Sequence, residues 1–348
     1  MNFQRVEEIA EAVLYEGYML YPYRPSSVKN QQRFNFGVLC PPSYCEMNPG
    51  SEASFLQTEC LFKSSSATRL TVKVRFLHIV QRSIVRYARP AAGDDSDAVL
   101  EYVDRLEVNG RVYQPWQEAD ERSLVYDALD PAVLLGSRIV HFTVPGESSV
   151  EDLNAEGCPG AIIRESQTLA GTLHFRVEQC RDNVMKLCVY LENRTAFHAA
   201  DDDPDRESAL PLSLVSAHLV LGVENGEFLS LLDPPAPYAD LARACANIGN
   251  WPVLAGDGPT TILASPVILY DYPQIAPESA GNLFDSTEID EILSLRILTL
   301  TDEEKAEIRR SDDRARQLLD RTESIPDEQF LKLHGVLRGL NIMKEGHA

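Results

Sequence analysis

The sequence lacks any long, uncharged apolar run. The longest stretch of this kind, 208–223, is too short to cross a bilayer and contains Pro211 and His218. The opening residues, MNFQRVEEIAEAV, carry charges at positions where a signal peptide would need an apolar core. We therefore predict a cytoplasmic protein without a membrane span.

Basic residues are scarce. The 348-residue chain has 32 Lys and Arg against 53 Asp and Glu, which gives a formal net charge of −21. A negative surface is repelled by phosphate, so the charge balance argues against broad nucleic-acid binding. A chain of this length with 44% hydrophobic residues can also bury a core without disulfides or a structural metal.

Cysteines are few and scattered. There are seven, an odd number, and none forms a C-x-x-C pair, so a disulfide scaffold is not expected. Cys40 and Cys45 lie in CPPSYC, a spacing close to that of zinc-binding pairs, but no second Cys/His pair follows at motif spacing. We predict no metal at this position, and the two thiols are either a buried pair or reactive.

Familiar catalytic motifs are also missing. The sequence contains no G-x-S-x-G, H-E-x-x-H or phosphate-binding glycine loop, and NWPVLAGDGP at 250–259 is typical of a turn between strands. We therefore predict no cofactor. Catalysis is not excluded by this absence, because catalytic residues can be assembled from distant positions.

The sequence does contain a strong β-strand pattern between residues 52 and 197. In TRLTVKVRFLHIVQRSIVRYA, Leu70, Val72, Val74 and Phe76 alternate with residues that point the other way. Asn109-Gly110 predicts a two-residue hairpin turn. We predict an α+β protein with a mainly antiparallel, β-sandwich-like domain, followed by a mixed region and C-terminal helices.

Three regions follow from this pattern. Residues 1–50 form an N-terminal helix and a Tyr/Arg-rich strap, 51–208 a β-rich domain, and 209–348 a mixed α/β to helical region. The first helix has an apolar stripe formed by Val6, Ile9, Ala10, Val13 and Leu14. Strand order and oligomeric state are left open by the sequence.

Residues 14–38, LYEGYMLYPYRPSSVKNQQRFNFGV, combine aromatic and basic side chains within an acidic chain. One interpretation is a strap whose tyrosines pack the first helix onto the β-rich domain. The other is a recognition surface, because Tyr and Arg are enriched at binding hot spots. The candidate residues for that surface are Tyr21, Tyr23, Arg24, Lys29 and Arg33.

A second candidate segment begins at SPVILYDYPQIAPES. VILY, residues 267–270, is interpreted as a buried strand that ends at Asp271, Tyr272 and Pro273. The carboxylates in and after it could hold a hard cation, or could face solvent near a helix N-terminus. The candidate residues are Asp271, Tyr272, Glu278, Asp285, Glu288 and Glu291. His218, on an apolar strand, is interpreted as a core histidine.

Several blocks together resemble a family of bacterial proteins encoded beside uptake NiFe-hydrogenases. They are YEGYMLYPYRPSSVKNQQRFNFGVL, VDRLEVNGRVYQPWQEADER, GNWPVLAG and SPVILYDYPQIAPESAGNLFDSTEIDEILSLRILTLTDEEK. The resemblance extends from about residue 14 to residue 321 and departs from the family pattern around 198–210. It implies a hydrogenase-associated accessory role, with a hydrogenase subunit or maturation factor as the partner.

The sequence thus predicts a non-catalytic accessory or assembly protein that binds a protein partner. The Tyr/Arg-rich strap and the 271–291 segment would form the binding surface, joined by salt bridges from Arg24 or Arg33 to Glu278 or Asp285. The alternative is a metal-dependent hydrolase in which the carboxylates of 271–291 hold a divalent ion that activates water.

Overall fold

The computed structural model describes residues 4–14, 36–88, 99–153, 160–198 and 205–274, with isolated positions between 301 and 324. Two antiparallel sheets dominate these residues, which confirms a β-rich α+β fold. The helices are short. They are α1 (Gln4–Leu14), α2 (Pro42–Met47), α3 (Pro131–Leu134), α4 (Arg206–Ala209) and α5 (Ala239–Arg243), with 3₁₀ turns at Leu210–Leu212 and Ala236–Tyr238.

Fifteen strands lie in the described ranges. They are β1 (Phe55–Lys63), β2 (Arg69–Ala88), β3 (Val99–Tyr102), β4 (Leu106–Val108), β5 (Arg111–Tyr113), β6 (Trp116–Leu129), β7 (Arg138–Val144), β8 (Ser148–Leu153), β9 (Gly160–Ser166), β10 (Leu169–Arg181), β11 (Val184–Asn193), β12 (Val215–Glu224), β13 (Glu227–Leu229), β14 (Trp251–Leu254) and β15 (Thr261–Ser265).

The strands form a five-stranded and an eight-stranded sheet. The five-stranded sheet has the order β13-β1-β11-β10-β7, and the eight-stranded sheet has the path β14-β15-β12-β2-β9-β8. Strand β2 also pairs with β3 and β6, so it contacts four strands along its 20 residues. The hairpin β4-β5 turns at Asn109 and Gly110, both at positive φ, as the sequence predicts.

The main core lies between the inner faces of the two large sheets. The alternation predicted in β2 is confirmed, because Leu70, Val72, Val74 and Phe76 are all buried in this core. Phe175 on β10 faces them from the other sheet. Each large apolar side chain buried in this way contributes about 1.5–3 kcal/mol to folding.

Helix α1 covers the outer face of the eight-stranded sheet. Its predicted stripe is confirmed: Val6, Ile9 and Val13 are buried against the sheet residues Val220 and Leu263. The polar side of the helix is also anchored, because Lys73 Nζ on β2 donates to Glu7 Oε1 at 2.5 Å. The eight-stranded sheet is therefore buried on both faces where α1 crosses it.

Strands that follow residue 208 complete both large sheets. β12 pairs with β2, and β13 pairs with β1 of the other sheet, so the chain crosses between the sheets at Asn225 and Gly226. The predicted helices after residue 285 are not confirmed, since almost all of that region lies outside the described residues. Among the helices that are described, none has the length and apolarity needed to span a bilayer.

Candidate interaction surface

Some of the predicted binding residues lie within the described residues and others lie outside them. Asp271 and Tyr272 are described. Outside the described residues lie Tyr21, Tyr23, Arg24, Lys29, Arg33, Glu278, Asp285, Glu288 and Glu291. The predicted salt bridges between the strap and the 271–291 segment fall there as well and stay a prediction. The geometry of the site is therefore that of the segment ending at residue 274.

Segment 266–274 does not form the buried strand predicted for VILY. Strand β15 ends at Ser265, because Pro266 has no N–H to continue the ladder and Ser265 Oγ donates to the carbonyl of Val267. The chain then exposes alternate side chains: Ile268 is 72% and Tyr270 87% exposed. Leu269, between them, packs against the cluster under α1. That prediction was wrong because half of the apolar run faces outward.

Asp271 fixes this segment to two other parts of the chain. Its Oδ1 accepts a hydrogen bond from the backbone N–H of Leu254 at 2.8 Å, and its Oδ2 accepts one from Ser230 Oγ at 2.5 Å. The Ser230 hydroxyl oxygen accepts in turn from the N–H of Asp233. Both oxygens of the Asp271 carboxylate are therefore engaged in holding backbone, which is a structural role.

The same contacts close the edge strand β14. The carbonyl of Leu254 accepts from the N–H of Tyr272 at 2.6 Å, so both backbone groups of Leu254 bond to 271–272. Pro252, two residues earlier on the same side of the strand, has no N–H to donate. A partner strand would find no free donor at these positions of the edge.

Tyr272 completes an outward-facing row. We call Ile268, Tyr270 and Tyr272 the aromatic row, since these three exposed side chains occupy alternate positions of segment 266–274. Tyr272 is 41% exposed and adopts φ 55°. Partial burial, followed by the charge of Asp271, raises the pKa of the Tyr272 hydroxyl, so it remains a neutral hydrogen-bond donor at neutral pH. The row can therefore offer apolar surface and phenolic hydroxyl groups to a partner.

His218 is confirmed as a core histidine. It is fully buried, and its Nδ1 donates to the carbonyl of Ser216 at 2.9 Å. Burial, with smaller effects from Arg75 and Lys73, lowers the His218 pKa to about 3. No hydrogen-bond partner for Nε2 is found among the described residues. The imidazole is therefore neutral at physiological pH and fully buried beneath α1, where a substrate would not reach it.

The Cys40 thiol is buried, and those of Cys45 and Cys245 are partly buried. Burial raises the pKa of Cys40 to about 12, and burial together with the charge of Glu59 does the same for Cys245. The pKa of Cys45 is also raised, chiefly by burial. Because the thiolate is the nucleophilic form, these values favour the buried-pair interpretation of Cys40 and Cys45 over reactive thiols.

The described ranges contain no group of three or more His, Cys, Asp and Glu side chains arranged to hold a metal ion. Most of the carboxylates on which the hydrolase alternative depends lie outside the described residues, so that alternative stays a prediction. Sequence comparison adds no assignment: no protein-family model matches the chain, and no curated protein matches it significantly. The hydrogenase-associated resemblance likewise stays a prediction.

Proposed function

We propose that this chain is a non-catalytic accessory or assembly protein that docks onto a protein partner through the aromatic row. The observation that carries the proposal is the outward exposure of Ile268, Tyr270 and Tyr272 on a segment fixed by the Asp271 hydrogen bonds. Large exposed apolar side chains grouped on one segment are typical of interaction surfaces.

The aromatic row is suited to binding because it is held in place before a partner arrives. Asp271 bonds to Leu254 and to Ser230, and Leu269 packs beneath the row. A partner would therefore order few additional groups, and the loss of conformational entropy on binding would be small. Tyrosine is also among the residues most enriched at binding hot spots.

The mode of binding follows from the closed edge. Leu254 already uses both backbone groups, and Pro252 has no N–H. Addition of a partner strand to β14 is thereby disfavoured, and recognition would use side chains instead. The formal net charge of −21 would speed encounter with a partner whose contact face is basic.

We propose a subunit or maturation factor of a NiFe-hydrogenase as the partner. This step depends on the sequence resemblance, whereas the docking surface depends on the geometry of 268–272. The two parts of the proposal can therefore fail separately, and the experiment below distinguishes them.

The test is affinity capture with the full chain as bait in a host that makes an uptake NiFe-hydrogenase. We expect capture of a hydrogenase subunit or maturation factor, and at least a tenfold loss of its capture with Ile268→Ala plus Tyr270→Ala. Tyr102→Ala is the matched control, because Tyr102 is 66% exposed on β3 and lies outside the aromatic row.

Two outcomes of this experiment reject different parts of the proposal. Capture that includes no hydrogenase protein rejects the hydrogenase partner. Capture of a hydrogenase protein that is equally strong with the double variant, or equally weakened by Tyr102→Ala, rejects the aromatic row as the docking surface.

A further inference from the structure

A second edge of the molecule differs from β14. Strand β7 ends the five-stranded sheet and pairs only with β10 within the described residues. Its sequence, RIVHFTV, holds one charged residue, Arg138, and no proline. Ile139 is 52% exposed, and His141 and Thr143 are exposed beside it.

The register shows which backbone groups of β7 point away from the sheet. The carbonyl of Ala170 accepts from Arg194 N–H on the β11 side, so in antiparallel pairing Gly171, Leu173 and Phe175 direct their groups toward β7. Their β7 partners are Phe142, Val140 and Arg138. The backbone N–H and C=O groups of the intervening residues of β7 therefore point away from β10. These residues are Ile139, His141 and Thr143.

No partner for these outward N–H and C=O groups occurs among residues 4–14, 36–88, 99–153, 160–198 and 205–274. The other large-sheet edges in the same ranges are protected. Pro252 and segment 271–272 close β14, Phe228 N–H on β13 bonds to the carbonyl of Pro259 at 2.6 Å, and β3 has only four residues. Strands β6 and β8 carry carboxylates, which are Glu118, Asp120, Glu121, Asp127, Glu151 and Asp152.

We propose that β7 is a dimerisation edge that pairs antiparallel with β7 of a second copy of this chain, centred on His141. A two-fold axis at His141 places Ile139 beside Thr143 of the second copy and His141 beside the second His141. All three outward residues would then exchange backbone hydrogen bonds across the axis, which is the pattern of an antiparallel ladder. The five-stranded sheet would continue into its counterpart.

The charge pattern of β7 favours a second copy as the occupant. In this register Arg138 faces Val144, so the two arginines lie about 20 Å apart along the paired strands. On the inner faces Val140 meets Phe142, a β-branched side chain beside an aromatic one, a favourable pairing. The same self-pairing of β6 or β8 would bring several carboxylates together, and like charges opposite each other destabilise a ladder.

The experiment measures the mass of the full chain in solution over a concentration series, at physiological ionic strength so that repulsion between acidic chains is screened. We expect wild type to approach twice the mass of one chain. His141→Asp and His141→Lys each place like charges on the two-fold axis and shift the protein toward monomer. An equimolar mixture of the two variants restores the dimer, because Asp then faces Lys.

Two further variants complete the design. His141→Asn is the neutral control and keeps the dimer. Thr143→Pro removes an outward N–H without breaking a bond to β10, and raises the dimer dissociation constant roughly tenfold by removing one hydrogen bond per copy. Restoration in the mixture also shows that the charged variants are folded.

Two outcomes overturn the proposal. One is a wild type that stays monomeric at the highest soluble concentration. The other is a dimer that is unchanged by His141→Asp and His141→Lys, which would place the interface elsewhere.

Discussion

Strands β14 and β7 are both edges of large sheets, yet they differ in whether their outward backbone groups have hydrogen-bond partners. At β14, Pro252 has no N–H, and both backbone groups of Leu254 bond to Asp271 and Tyr272. At β7 three residues keep outward N–H and C=O groups without partners in the described chain. Exposed edges are a route to unwanted association, and proteins usually protect them. This difference is the basis for the two proposals, side-chain docking beside β14 and strand pairing at β7.

The largest expected effect is a dependence of stability on pH, which arises in the eight-stranded sheet that carries β14. His218 lies in the eight-stranded sheet, fully buried under α1, and its pKa is lowered to about 3 by burial. The unfolded chain binds a proton near pH 6.5, whereas the folded chain binds it only near pH 3. Between these values the unfolded state holds more protons, so stability falls as pH falls.

We therefore expect His218 to contribute a loss of about 3 kcal/mol in unfolding free energy between pH 7 and pH 4. Urea denaturation across this range is the measurement. His218→Asn should flatten the pH dependence of the unfolding free energy. Equal slopes for wild type and His218→Asn would contradict the prediction.

A smaller effect is expected on opening the β14 edge. Asp271→Ala removes two hydrogen bonds and leaves the N–H of Leu254 and the hydroxyl of Ser230 without their acceptor. We expect a loss of about 2 kcal/mol in unfolding free energy, measured by urea denaturation at pH 7. Asp233→Ala is the control, because only the backbone N–H of Asp233 takes part in the Ser230 contact. An unchanged midpoint for Asp271→Ala would show that the edge does not depend on this carboxylate.

The smallest stability effect concerns the β7 edge. A Cβ added to Gly171 would lie 2.1 Å from Cζ of Phe142, whose ring is buried in the main core. Gly171→Ala must therefore displace Phe142, and we expect destabilisation of about 1–2 kcal/mol, measured by thermal unfolding. Gly136→Ala, where an added Cβ meets nothing within 4 Å, is the control and should be neutral. Similar melting curves for Gly171→Ala and wild type would mean that Phe142 can move without cost.

The sequence predicts best the features that depend on neighbouring residues. The stripe of α1, the alternation of Leu70 to Phe76 and the Asn109-Gly110 turn each follow from local periodicity or backbone preference, and all three are confirmed. His218 was also predicted correctly, because an isolated histidine in an apolar strand is usually buried.

Features that depend on distant pairing were not predicted. VILY is apolar enough for a buried strand, but the strand ends before it, and the hydrogen bonds of Asp271 to Leu254 and Ser230 hold a segment in which Ile268 and Tyr270 are exposed. The contrast between the edges likewise requires strand order, which periodicity does not contain. The local signal for the aromatic row is the alternation of Ile268, Tyr270 and Tyr272 with Leu269 and Asp271.

The order in which the partners of β2 are synthesised affects how the chain folds on the ribosome. Its partners β6, β9 and β12 begin at Trp116, Gly160 and Val215, so they leave the ribosome progressively later. At ordinary rates of synthesis, β2 waits on the order of ten seconds between its own emergence and that of β12. During that interval one of its long sides is only partly paired. We expect the nascent chain to depend on chaperones at this stage, although β2 ends up at the centre of the eight-stranded sheet.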